Sequence, residues 1–481
     1  MNRKVVINYL LLCLFLCTTM TSCSPKRQNA TPLKIKPAIY PDYTEVTMPC
    51  NIAPPTFALC QPSDKAHLES LQAVFKAGNE ETVVECDGDN GFCISADDWH
   101  SLTQANNVIS ITIQGHDGNK WVEYKPFNIT ISTDSIDSYL TYRLIEPGYE
   151  VWNEMGIYQR NLETYDEEAI LTNKANDLGC MNCHSFCNRN ASTMSLHLRL
   201  NNGGTYIVKE GKTNKLSPSP SFVYPSWHPE GRYIAYSQNE TKQMFHTTDR
   251  NRIEVFDFRS DVIVYDTQSG NVLTCPQLHS PLTFETFPSW SADGKSLYYC
   301  TADSVEIPAD YDKVHYSLCR ISFDESTGKF GEKPDTLYSA HVLGGSISFP
   351  RESPDGKWVM YTHHEYGNFS IWHKDADLWM QSTTTLHPAA ENEIIKLESP
   401  RSDSYHSWSS TGKWVVFSSR RDDGLYTRPY IMHWNGKTFS KPFIMPQSTA
   451  IHDKKNLKSY NIPEFTINAF TANDALLNAI E

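Results

Sequence analysis

Four stretches of this chain repeat one pattern, and that pattern constrains the fold more than anything else in it. They read Tyr224-Pro-Ser-Trp227-His-Pro-Glu-Gly231-Arg-Tyr-Ile-Ala-Tyr236, Phe287-Pro-Ser-Trp290-Ser-Ala-Asp-Gly294-Lys-Ser-Leu-Tyr-Tyr299, Phe349-Pro-Arg-Glu352-Ser-Pro-Asp-Gly356-Lys-Trp-Val-Met-Tyr361 and Tyr405-His-Ser-Trp408-Ser-Ser-Thr-Gly412-Lys-Trp-Val-Val-Phe417. The anchor positions 227, 290, 352 and 408 stand 63, 62 and 56 residues apart. Each stretch predicts a strand, a glycine turn and a second strand of alternating apolar residues. The glycine supplies the positive φ that such a turn needs. Units at a near-fixed period bury their apolar faces only against neighbours, so they stack as the blades of a β-propeller. A closed ring also leaves no long strand edge open.

These repeats resemble the PD40, TolB-like class of WD40-like propellers, whose blades carry a similar Pro-x-Trp-Ser-Pro-Asp-Gly-Lys stretch. The resemblance covers residues 205–447 and implies a fold rather than an activity, since propellers host many functions. Four blades are explicit. The strands around Leu196 to Lys209 and the tail near Ile462 to Ile467 are expected to make a fifth together. Five blades are therefore expected, with six as the alternative.

The fold class is mainly β. The expected order is a lipoprotein signal peptide over 1–22, a tether over 23–42 and a small β-rich domain over 43–137. A helical connector follows over 138–199, then the propeller over 200–470 and a tail over 471–481. In the small domain Thr82 to Cys86 reads as a strand and Ser95 to Gln104 as a capped helix. Val108 to Gln114 and Trp121 to Ser132 read as a hairpin. In the connector, Trp152 to Ala175 reads as helical, rich in Glu, Tyr and Leu. The whole order also resembles a group of anaerobe envelope lipoproteins, which implies architecture only.

The N-terminus sets the expected compartment. Arg3 and Lys4 precede a short apolar run that ends in Met20-Thr21-Ser22-Cys23, a sequence that resembles a lipobox with Cys23 as the lipidated residue. The expectation is a lipid-anchored envelope protein on the periplasmic face, in contact with the membrane through that anchor. A net charge of −14, with no basic block beyond the extreme N-terminus, excludes a nucleic-acid partner. Ten of the 13 cysteines remain after processing and lipidation. Cys50/Cys60 and Cys86/Cys93 are close enough in sequence to be disulfides in an oxidising compartment.

Cys180-Met181-Asn182-Cys183-His184 is the one stretch that carries recognisable chemistry. It matches C-x-x-C-H, by which haem c is attached: Cys180 and Cys183 bond the haem vinyl groups and His184 is the proximal iron ligand. Met194 and His197 are the two candidates for the sixth ligand, and an open sixth position is the third case. Zinc held by Cys180, Cys183, His184 and Cys187 is the rival metal reading. A structural disulfide or a chance match is the other. In the propeller, His228, Asp249, Arg250, Arg252, His363, His364, Glu365 and Arg401 could line a channel, although adjacent His363 and His364 on a strand would face opposite ways.

The function expected is that of a membrane-anchored periplasmic c-type haem protein with a propeller, engaged in electron transfer or haem-assisted redox chemistry with an envelope or redox partner. The alternative is a non-catalytic propeller scaffold that binds envelope proteins, the C-x-x-C-H segment being structural. The sequence does not decide whether the chain is an enzyme.

Overall fold

The computed structural model describes residues 25–60, 68–88, 91–147, 153–216, 222–247, 251–384 and 388–480. The protein is mainly β. The expected lipidation at Cys23 and the candidates Asp249 and Arg250 lie outside the described residues.

Residues 25–137 build a seven-stranded sheet around Val108–His116, Leu71–Ala77 and Glu80–Glu85. Helix Ala96–Ala105 lays Trp99 and Leu102 on it. Ser95 starts that helix: its Oγ accepts the Asp98 N–H at 3.1 Å, which satisfies one of the free amides of the first turn. The strand expected over 121–132 is two strands, Trp121–Glu123 and Phe127–Ser132, interrupted before Phe127 where Pro126 has no N–H to give to a ladder.

Apart from the two-stranded pair of Ile39–Tyr40 and Ala58–Leu59, the remaining strands form six antiparallel sheets of at least four strands each. The first joins Tyr139–Ile145, Gly156–Asn161 and Glu167–Thr172 to Ser459–Thr466. The second runs Met181–Cys187, Asn190–Leu198, Gly204–Lys209 and Lys212–Lys215. The third to sixth begin at Val223–Trp227, Thr283–Trp290, Ser346–Glu352 and Asp403–Trp408, the four repeats read from the sequence. The innermost strand of each sheet touches that of the next, and Ser459–Thr466 touches those of both the second and the sixth, so the ring closes. The sheets therefore form a propeller in which the C-terminal strand completes the first sheet.

Two expectations need correction. Among its described residues the connector over 138–199 is strand rather than helix: it holds three strands of the first sheet and half of the second, with a single 3₁₀ turn at Asn173–Asn176. Glu, Tyr and Leu favour a helix only weakly, and pairing with Ser459–Thr466 overrides them. Residues 196–209 and 462–467 do not share a blade: the first stretch belongs to the second sheet and the other to the first, so the ring holds six sheets rather than five. Within the tail over 471–481, Asn473–Ile480 is a helix that buries Leu476 and Ile480.

One apolar core runs through the N-terminal sheet and the sixth sheet, from Phe57 and Phe127 to Trp414 and Tyr430. Polar contacts lock the seam. Trp414 Nε1 donates to the Asp134 carbonyl at 3.0 Å, the Ser410 N–H donates to Asp137 Oδ2 at 2.7 Å, and Lys441 Nζ pairs with Asp42 at 2.7 Å.

Candidate functional site

Every innermost strand breaks register at the same place. The ladder skips 183–184, 224–225, 287–288, 349–350, 405–406 and 462–463. The first residue of each skipped pair is left-handed: Cys183, Tyr224, Phe287 and Ile462 have φ of 51°, Phe349 and Tyr405 of 53°. A non-glycine residue in that region costs about 1–2 kcal/mol, so this bulge is a built feature of the repeat. It turns these side chains toward the axis, where they plug it. Ring centroids lie 4.6 Å apart for Tyr224–Phe287, 4.2 Å for Phe287–Phe349 and 4.8 Å for Phe349–Tyr405.

Behind the plug sits the long hairpin Tyr233–Phe245 and Ile253–Asp266 of the third sheet. Glu254 meets His373 at 3.1 Å there, and Asp257 accepts from Tyr316 Oη at 3.0 Å and from Asn368 Nδ2. The Asp257 charge reaches Tyr224 and adds to the burial that holds its phenol protonated.

The C-x-x-C-H stretch is this repeat in another dress. Asn182-Cys183-His184-Ser185-Phe186 occupies the place of Ser404-Tyr405-His406-Ser407-Trp408. His184 and His406 also do the same work. The backbone carbonyl groups of Thr141 and Ile462 hold the His184 ring, and His406 Nε2 donates to the Met360 carbonyl at 3.0 Å. Thr141 and Met360 are matching positions on the second strands of the preceding sheets. Burial pushes both imidazoles down to about 3, so both are neutral.

The motif's side chains part company. Cys180 packs between the first and second sheets beside Met181 and Met194. Cys183 lines the channel. Cys187 packs between the second and third sheets, its Sγ 3.8 Å from the His228 carbonyl oxygen. Burial pushes all three thiols up. Met194 lies in the core between the first two sheets; His197 sits on the other face of its strand, bonded to Thr205 Oγ1 at 3.1 Å. As folded, these residues do not fit haem c, because two thioether bonds require both sulfurs to face one void. They do not fit zinc either, since no three His, Cys, Asp or Glu are gathered for a metal among the described residues. Cys50, Cys60, Cys86 and Cys93 are not joined by disulfides in this structure, so neither expected pair is formed. Their sulfurs turn to separate carbonyls, Cys50 to Thr133 and Cys93 to Ser448, both at 3.9 Å.

In front of the plug the channel opens into a cavity of about 240 Å³. The second residue past each bulge faces it: Ser185, Ser226, Ser289 and Ser407 in four sheets, but Arg351 in the fifth and Glu464 in the first. Arg189 joins them from the two-residue turn Asn188-Arg189, both left-handed, and its Nε donates to the Trp408 carbonyl at 2.8 Å. Glu464 accepts the Phe186 N–H at 3.2 Å, and burial pushes its carboxyl up to about 7 against the pull of Arg351 and Arg189. Neither guanidinium forms an ion pair among the described residues, and desolvation presses on both. Trp227 and Trp408 donate Nε1 to carbonyls of the preceding sheet at 3.1 and 3.3 Å, whereas the buried Trp290 Nε1 has no partner among the described residues. His184 Nε2 and His406 Nδ1 are likewise unpartnered there.

The other candidates lie elsewhere. His228 Nε2 bonds the Gly294 carbonyl at 3.1 Å. His363 stacks on Trp379 at 3.7 Å while His364 turns to His373, so the two do face opposite ways. Arg252, Glu365 and Arg401 are exposed. Arg189, Arg351, His406 and Glu464 were not singled out in the sequence. The signal for two of them is there: aligned on their bulges, the repeats put Arg351 and Glu464 where others have serine.

Comparisons add no chemistry. No family model matches the chain, and no curated protein matches it. Among solved structures it is similar to the tricorn protease, at 13% identity and a TM-score of 0.37, over 81% of this chain and 38% of that one. A prolyl endopeptidase matches at 14% identity and 0.34, over 56% and 35% of the two chains. Dipeptidyl peptidase 4 of Porphyromonas gingivalis matches at 10% and 0.28, over 66% and 54%. The chain thus spans little more than a third of the first two.

Proposed function

We propose that this chain is a binding propeller of the cell envelope, lipid-anchored at Cys23, six-bladed, and holding its ligand at the open end of the channel. One observation carries the reading. Cys183 and His184 are the second sheet's version of Tyr405 and His406, so the motif is accounted for by the bulge of the repeat rather than by a prosthetic group. The cavity beyond it brings two unpaired guanidinium groups and several unpartnered buried polar atoms into one place, which a finished structural core would not leave. Among the described residues no helix is long and apolar enough to cross a membrane.

The test is a haem stain on a denaturing gel, with the full chain expressed alongside haem-attachment machinery. The expected result is no stain and no sharp visible absorption band from correctly exported protein. A band that stains in wild type and vanishes in Cys180→Ala/Cys183→Ala would restore the cytochrome reading.

A further inference from the structure

We infer that the channel mouth takes the carboxylate end of a peptide or of a small N-acylated amino acid, gripped by Arg351 and Arg189. This rests on the binding reading above and names its ligand class.

The charge argument comes first. Arg351 and Arg189 share the field of one buried carboxyl, Glu464, and neither makes an ion pair with it, so a bound carboxylate meets two guanidinium groups whose forks suit it in a bidentate way. Arg351 Nη1 donates to its own neighbour's carbonyl at Pro350, 3.2 Å away, and the residue lines the cavity. Arg189 is delivered there by a left-handed, non-glycine turn residue with φ of 60°, a strained position of the kind that collects at ligand sites.

The neutral groups argue for more than a bare anion. Trp290 Nε1 is a donor, suited to a second carboxylate oxygen. His406 gives its Nε2 proton to Met360, so its Nδ1 is left as an acceptor, and His184 Nε2 is the matching atom on the other side of Glu464. Two acceptors beside two cations suit a group with an N–H next to its carboxylate, as at the last peptide unit of a chain. Phe186, Trp227 and Trp408 supply an apolar wall for the terminal side chain. The volume, below the ~300–1,000 Å³ of sites for drug-sized ligands, admits one terminal residue and leaves the rest of a peptide outside.

The experiment is calorimetric titration of the detergent-solubilised full chain with three probes: N-acetylphenylalanine, N-acetylphenylalaninamide and tetraalanyl-phenylalanine with a free carboxylate. We expect the acids to bind and the amide to bind at least ~tenfold more weakly, the scale of one lost charge-assisted contact. Arg351→Gln and Arg189→Gln each lower acid binding by at least ~tenfold, while each variant still melts in one transition. If Arg351→Gln does not fold, Arg189→Gln carries the test. Binding of the pentapeptide alone assigns the site to peptide ends, and binding of the small acid alone assigns it to free N-acyl amino acids; either supports the inference. Equal binding of acid and amide, or no binding of any probe by a cooperatively melting chain, overturns it. Such a failure leaves the haem stain negative and so is distinct from failure of the binding reading.

Discussion

Cys183 and Tyr405 are one position of one repeat. Their φ values are 51° and 53°, each is followed by a histidine that bonds to the second strand of the preceding sheet, and each points into the plug of the channel. A thiol stands in one sheet where a phenol stands in another.

The equivalence makes His184 replaceable. Pro225, Pro288, Pro350 and Pro463 hold its position in four of the five other sheets, where the ladder asks no N–H of that residue. His184→Pro should therefore fold and lose about 1 kcal/mol, the worth of one ring hydrogen bond. Urea unfolding of the two proteins measures this; a loss of ~4 kcal/mol or more would mean that His184 has a role the repeat does not explain.

Two turn glycines should respond differently to alanine. Gly294 and Gly356 have φ of 72° and 71°, so each substitution meets the same backbone penalty of about 1–2 kcal/mol. A Cβ at Gly294 would lie 2.3 Å from His228 Nε2, whereas one at Gly356 would meet nothing within 4 Å. His228 is buried and tied to the Gly294 carbonyl, so it cannot simply swing away. Gly294→Ala should cost a further ~1–3 kcal/mol by overpacking, read as the difference between the two denaturation midpoints.

These residues also mark what sequence alone could reveal. The repeats at Trp227, Trp290, Glu352 and Trp408 announce themselves through Pro, Trp and Gly, each fixed by a turn or an inter-sheet contact. The first two sheets hide. In the second, Cys183 and Phe186 replace the usual aromatics, and the turn Asn188-Arg189 replaces the longer glycine turn. In the first, the inner strand is Ser459–Thr466, remote in sequence from Tyr139–Ile145, and no local pattern reports so distant a pairing. C-x-x-C-H drew attention because of its residue types, yet its place in the fold is set by Ser185 and Phe186, which rhyme with Ser407 and Trp408. The charged mouth was hidden for a related reason: Arg351 and Glu464 matter only once the strands are set side by side.

Closure of the ring depends on that remote strand. A chain ending at Lys458 would bare the edge of Tyr139–Ile145 and the flank of Asp403–Trp408. It should lose cooperative melting, bind a hydrophobic dye and aggregate. A truncated chain that melts in one transition at the parental temperature would contradict this role.

Stability should fall as pH rises from about 6.5 to 8, where the buried carboxyls titrate with no opposing change from the buried histidines. Burial raises Asp257 to about 6 and Glu285, Asp377, Asp453 and Glu464 to about 7. These groups hold protons in the folded chain that the unfolded chain has released, so their contribution falls as pH rises from the ordinary carboxyl range through 7. Burial lowers His184 and His406 to about 3 and His197 and His363 to about 4. There the unfolded chain binds the extra protons, so the histidine contribution falls as pH drops below about 6.5 and opposes the gain from the carboxyls. Thermal melts across this range check the fall, and Glu464→Gln should flatten it.

Among the described residues the plug of Tyr224, Phe287, Phe349, Tyr405, Ile462 and Cys183 closes the inner end of the channel and leaves the mouth as its door. Whatever enters must leave by the way it came, and one occupant bars the next. A long chain cannot be threaded through such a vestibule; it can only present an end to it. Traffic here is a matter of docking and departure, and the dwell time of the guest sets how often the door is free.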